Sequence, residues 1–161
     1  GAGTTFYVVL NFQCATESFA AIDKYGSTSG EKVNLNYNIL VVEDEQINRV
    51  VTCKILNKIG CKTATAVDGQ GALNMLAHSD YDLILMDIQM PIMDGVAATK
   101  AIRILPRFQS KSNIPIIAMT AHAMLGDRES FLAAGMDDYV AKPFNNKELI
   151  ESIIRVMSKK A

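Results

Sequence analysis

Residues Leu83–Gly95 read LILMDIQMPIMDG. Four apolar residues in a row, without alternation, mark a strand covered on both faces. The run stops on a carboxylate, Asp87, and the loop behind it carries Pro91 and Gly95, residue types that shape tight turns. The same design appears upstream in ILVVED, where Ile39–Val42 runs into Glu43 and Asp44. Two doubly covered strands that both end in acid imply a parallel sheet with its chemistry at one edge.

Working outward from these two runs, the chain alternates between periods. Strands are expected at Ile39–Val42, Thr63–Ala66, Leu83–Met86, Ile114–Met119 and Tyr139–Ala141. Amphipathic helices are expected at Ile47–Ile59, Gly69–His78, Gly95–Leu105, Ala123–Ala134 and Lys147–Met157. In the first helix Val51, Ile55 and Ile59 recur every four residues, which reads as its buried stripe. Gly60 and Gly135 stand where helix stops belong. Five strand–helix units in strict alternation predict a doubly wound α/β fold with a five-stranded parallel sheet and right-handed crossovers. Ligands of such sheets bind beyond the carboxyl ends of the strands.

The 161 residues are 49% apolar and 20% charged, with a formal net charge of -1. That suits one domain with a tail and offers no basic footprint for nucleic acid. No apolar run approaches the ~20 residues a bilayer span needs, and Gly1–Phe12 lacks the charged start and cleavage site of a signal peptide. Cys14, Cys53 and Cys61 form no metal spacing; an odd, scattered set is expected as reduced thiols in a cytoplasmic compartment. Three segments differ in character: 1–13 is glycine-rich and then strand-like, 14–37 is linker-like around Ser27–Gly30, and 38–160 carries the regular alternation. Because the chain ends at Ala161, soon after the fifth helix, an output domain is not expected.

The strand ends collect an unusual set. Glu43 and Asp44 follow strand one, Asp87 strand three, Thr120 strand four, and Lys142–Pro143 strand five. Singly, each has a plain structural reading: an acidic pair in a solvated turn, a threonine at a helix start, a Lys-Pro surface turn. Together at one edge they describe a site. Crowded carboxylates repel unless a cation joins them, and oxygen-only ligands select a hard ion such as Mg2+. A lysine ammonium and a threonine hydroxyl suit phosphoryl oxygens. Asp87, on the central strand, is the expected nucleophile, with Glu43 and Asp44 on metal duty and the Gln89 carbonyl facing the metal.

The stretches ILVVEDEQINR (Ile39–Arg49), LILMDIQMPIMDG, PIIAMTAHA (Pro115–Ala123) and DYVAKPF (Asp138–Phe144) resemble the receiver domain of response regulators, in order and spacing. The resemblance covers about three-quarters of the chain. It implies a flavodoxin-like sheet of order 2-1-3-4-5 flanked by five helices. By position it makes Asp87 the phosphoacceptor, with Asp44, Asp87 and the Gln89 carbonyl as magnesium ligands and Glu43 acting through water. Thr120 becomes the switch hydroxyl, Tyr139 the switch aromatic, and Lys142 the essential lysine, with a cis Lys142–Pro143 peptide. Gln89 and His122, two residues after Asp87 and Thr120, stand where phosphoryl lifetime is tuned. The partner implied is a histidine phosphotransfer protein or a histidine kinase domain, in a two-component phosphorelay.

GAGTTFYVVLNF, at the start, is similar to the last glycine box and closing strand of a histidine-kinase ATP-binding domain. The parent is then a hybrid sensor histidine kinase. Without the other motifs of that domain, the piece is not expected to bind ATP. Two alternatives compete: a stand-alone response regulator, and a magnesium-dependent phosphatase with an aspartyl-phosphate intermediate. The second needs an acid two residues after the nucleophile, where this chain has Gln89. The partner is expected to dock over helix one, since Ile47, Val50 and Val51 cannot all face the sheet.

Overall fold

The structure, a computed structural model, describes residues 34–121 and 127–159. Five strands form one parallel sheet: β1 (Asn38–Val42), β2 (Lys62–Ala66), β3 (Leu83–Asp87), β4 (Ile116–Thr120) and β5 (Asp138–Ala141), in the order β2-β1-β3-β4-β5. The crossover helices are α1 (Gln46–Lys58), α2 (Gly69–His78), α3 (Gly95–Ile104) and α4 (Asp127–Ala133), and α5 (Asn146–Ser158) follows the last strand. This is the flavodoxin-like arrangement expected. The N-terminal strand expected within 1–13 and most of the linker within 14–37 lie outside the described residues, as does His122. Residues 34–37 pack on the fold: the Leu35 amide donates to the Ile59 carbonyl at 3.0 Å, and Leu35 and Tyr37 rest against the core.

Strand pleating sends alternate residues to opposite faces, so an unbroken apolar strand feeds two cores. Leu40, Val42, Ile84, Met86, Ile116 and Ala118 pack on one side with α2, α3 and Phe131 of α4. Ile39, Val41, Leu83, Leu85, Ile117 and Met119 pack on the other with Leu56 of α1 and Leu149, Ile153 and Val156 of α5. The central strands β1, β3 and β4 are thereby sealed. Register then aligns their ends: Val42 faces Met86, Asp87 faces Met119, and Thr120 faces Ala141. Glu43, Asp87, Thr120 and Lys142 consequently emerge within one residue of a common line.

Two sequence expectations need correction. The buried stripe of α1 is centred on Thr52 and Leu56, while Val51 is 49% exposed. Val51 lies about 100° round the helix from Thr52 and about 40° beyond Ile55, at the outer edge of the face on which Ile55 and Ile59 make partial contact. β4 begins at Ile116, two residues later than expected, because the Ile114 amide donates to the Lys111 carbonyl at 3.0 Å and Pro115 has no amide to give the ladder; a 3-10 helix at Pro106–Lys111 lies between α3 and β4. That helix buries Phe108 completely, and six residues are too few to reveal a period. The described part of the fourth helix begins at Asp127. The glycine stops hold: Gly60 and Gly135 both have positive φ, 84° and 97°, where a Cβ is strained.

Candidate functional site

Lys142 organises the strand ends. Its ammonium lies 2.6 Å from Glu43 Oε2 and 2.8 Å from Asp87 Oδ2. The Lys142 amide donates to the Thr120 carbonyl at 2.6 Å, extending the β4–β5 ladder past its last pair, and the Lys142–Pro143 peptide is cis. Glu43 is held three ways: its amide donates to the Ala66 carbonyl at 3.1 Å, Lys142 takes one carboxylate oxygen, and Asn48 Nδ2 donates to the other at 3.2 Å. Burial pushes the Glu43 carboxyl above the usual carboxylate range, against the opposing pull of the Lys142 ammonium.

Asp87 closes β3 and is buried. The Gln89 amide donates to its Oδ1 at 3.2 Å, while the Gln89 side chain is exposed. The loop behind it folds back on the strand: the Gly95 amide donates to the Ile88 carbonyl at 3.1 Å. A Cβ at Gly95 would sit 2.1 Å from the Asp87 carbonyl oxygen, so only glycine lets α3 begin this close to the site. Asp94 caps α3, accepting from the Ala97 amide at 2.7 Å. Ile92 turns the loop with a positive φ of 66°, a conformation that a β-branched residue adopts only at a cost.

Asp44, exposed, completes the acidic group. One oxygen from each of Glu43, Asp44 and Asp87 lies within 4.8 Å of the others. Three carboxylates against the single Lys142 ammonium leave two negative charges in excess. With oxygen donors only, this set fits a hard divalent cation such as Mg2+. Thr120 is buried at the end of β4. Tyr139, on neighbouring β5, is half-buried, its ring 6.5 Å from that of Phe131 and tilted by 49°.

The structure thus brings Glu43, Asp44, Asp87 and Lys142 to one point, with Thr120 and Gln89 on the flanking strand end and loop. Asn48 and Arg49 went unnoticed in the sequence. The signal was positional: a helix starting at Gln46 puts both residues in its first turn, over the loop that carries the acidic pair. Arg49 Nη1 donates to the carbonyls of Glu43 at 2.7 Å and Asp44 at 3.1 Å.

A family model described as the response regulator receiver domain matches residues 39–154, and the chain belongs to that family. It is 48% identical over 120 residues to hybrid signal transduction histidine kinase I of Dictyostelium discoideum, covering 71% of this chain and 7% of that protein. It is 38% identical over 117 residues to sensor protein GacS of Pseudomonas syringae pv. syringae, covering 73% of this chain and 13% of that protein. Among solved structures it is similar to the receiver domain of sensor histidine kinase PA1611 from Pseudomonas aeruginosa, with TM-score 0.68 and 40% identity over 76% of this chain and 98% of that one. That receiver has a magnesium ion coordinated in its active site cleft. The chain is therefore a receiver domain of two-component signalling, homologous to the receivers of hybrid kinases and a small part of the length of such relatives. The phosphatase alternative is set aside. Among the described residues no helix is long and apolar enough to cross a membrane.

Proposed function

We propose that this receiver accepts a phosphoryl group on Asp87 and relays it to or from a histidine phosphotransfer protein, as the receiver of a hybrid sensor histidine kinase. The observation that carries the reading is the Lys142 ammonium bound at once to Glu43 and Asp87, with Asp44 beside them. On this reading Asp44, Asp87 and the Gln89 carbonyl hold Mg2+ directly and Glu43 holds it through water. Mg2+ there supplies charge neutralisation for an incoming anionic phosphoryl group. An Asp87 carboxylate oxygen forms the new bond to phosphorus as the bond from phosphorus to the donor's imidazole nitrogen, or to acetate, breaks with its electron pair. Lys142 exchanges its Asp87 contact for a phosphoryl oxygen, which leaves its contact with Glu43 in place. Thr120 then donates its hydroxyl to the phosphoryl group, and the Tyr139 ring turns inward in step, a two-state shift biased by the phosphate.

The hybrid-kinase origin is supported by the relatives and by the kinase-like stretch at residues 1–13. Work in a reducing cytoplasm agrees with Cys53 and Cys61, both free thiols. The partner's histidine must reach Asp87, so its helix lies across the strand-end loops beside α1, where Ile47, Val50 and Val51 stand exposed. Acetyl phosphate with Mg2+ should add one phosphoryl group by mass. Asp87→Asn should abolish the adduct, and Asp44→Ala should sharply weaken metal binding. A stable adduct on Asp87→Asn overturns the assignment.

A further inference from the structure

Two of the three clustered carboxylates, Glu43 and Asp44, sit on the short loop between β1 and α1. Loops of this kind are ordinarily held by a side-chain cap at the helix start, yet Glu45, the N-cap of α1, makes no side-chain cap hydrogen bond. The tether comes from the other direction. Arg49, one turn into α1, reaches back with Nη1 to the carbonyl oxygens of both Glu43 and Asp44, at 2.7 and 3.1 Å. Its neighbour Asn48 holds the Glu43 carboxylate itself. Consecutive helical residues thus grip the same loop, one by its backbone and one by its side chain.

We infer that Arg49 is a positioning residue for the cation site, tying down the peptide units that carry Glu43 and Asp44 so that their carboxylates are preorganised for Mg2+. This rests on the metal-site reading above. The inference has a sign that separates it from plain electrostatics. Arg49 is a cation close to a site that must attract a cation, so by charge alone its removal should tighten Mg2+ binding. If its work is to orient ligands, its removal should weaken binding. Groups that orient metal ligands characteristically matter at the tenfold level and above.

The test titrates Mg2+ into wild type, Arg49→Met, Arg49→Ala and Arg49→Lys. Binding is read from the backbone amide shifts of Asp44 and Gln89, below the unfolding midpoint of every variant. A purely structural role would lower the midpoint and leave the affinity of folded molecules unchanged. Arg49→Met and Arg49→Ala should bind Mg2+ roughly tenfold more weakly. Arg49→Lys, whose ammonium can donate to both carbonyls, should recover most of the loss. Affinity equal to or tighter than wild type in both neutral variants overturns the inference, as does a lysine variant no better than they are. Asp44→Asn serves as the control on the site: if wild type and Asp44→Asn are alike in failing to bind Mg2+, the metal-site reading falls and this inference with it. If only the Arg49 variants match wild type, the site stands and the positioning role alone is lost.

Discussion

Helices α1 and α5 have the same length, thirteen residues, and lie against the same face of the sheet, yet they use their side chains in opposite ways. α5 opens with a capping box, in which the Glu148 amide donates to Asn145 Oδ1 at 3.0 Å and the Asn145 amide to Glu148 Oε2 at 3.1 Å. It buries Leu149, Ser152, Ile153 and Val156, an i, i+3, i+4, i+7 stripe, and the Ser152 hydroxyl donates to Asp138 of β5 at 2.8 Å. α1 has no such cap and fully buries only Thr52 and Leu56, leaving Ile47 71% and Val50 44% exposed. Its first-turn polar residues turn toward the acidic loop. One helix is devoted to packing on the sheet; the other packs less, turns Asn48 and Arg49 to the acidic loop and leaves Ile47 and Val50 exposed.

If that division is real, stability and function should respond separately in the two helices. The largest stability loss is expected from Ile153→Ala, which empties a fully buried position at the centre of the α5 stripe. It should cost about 2–5 kcal/mol in denaturant unfolding, while the folded fraction still accepts phosphate from acetyl phosphate. A loss below about 1 kcal/mol would break the comparison. Asn145→Ala removes the cap and should cost about 1 kcal/mol, measured the same way. No comparable cap loss is available at Glu45, so Glu45→Ala provides the matching control in α1.

The sheet and the site differed in how legible they were. ILVV and LILM announced doubly covered strands because no polar residue interrupts them, and the acids at their ends announced the edge at which chemistry would collect. The parallel register that aligns those ends follows from strand–helix alternation, so the sequence alone groups Glu43, Asp44, Asp87, Thr120 and Lys142. The α1 stripe could not be read correctly. Val50, Val51, Ile55, Leu56 and Ile59 crowd that helix with apolar residues, and spacing alone does not say which side the sheet takes. The choice is made by where the helix begins, at Gln46, and by the tie of Arg49 to the loop before it. Phe108 was also invisible as core, since a short 3-10 segment carries no period and its burial depends on contacts distant in the chain.

The smallest stability effect, and the sharpest separation of the two helices, is expected at Ile47. The side chain is 71% exposed, so its replacement removes little burial, and surface substitutions of this kind stay within about 0.5 kcal/mol. Ile47→Asp also places a carboxylate in the first turn of α1, which holds no acidic residue. There the unpaired amides of the helix start favour negative charge while the neighbouring acidic loop opposes it, so any change in stability should be slight. The added charge lies near a cation site and does not repel Mg2+, so loading from acetyl phosphate should proceed as in wild type. Transfer from a phosphorylated histidine phosphotransfer protein is different if, as proposed above, the partner's helix settles on the exposed apolar residues of α1 beside the pocket. A carboxylate in the middle of such a patch must be desolvated without a partner, which is costly. The variant should therefore keep its unfolding midpoint and its acetyl phosphate reaction while losing histidine-to-aspartate transfer in both directions. Unimpaired transfer would place the docking surface away from α1 and would remove the functional half of the contrast with α5.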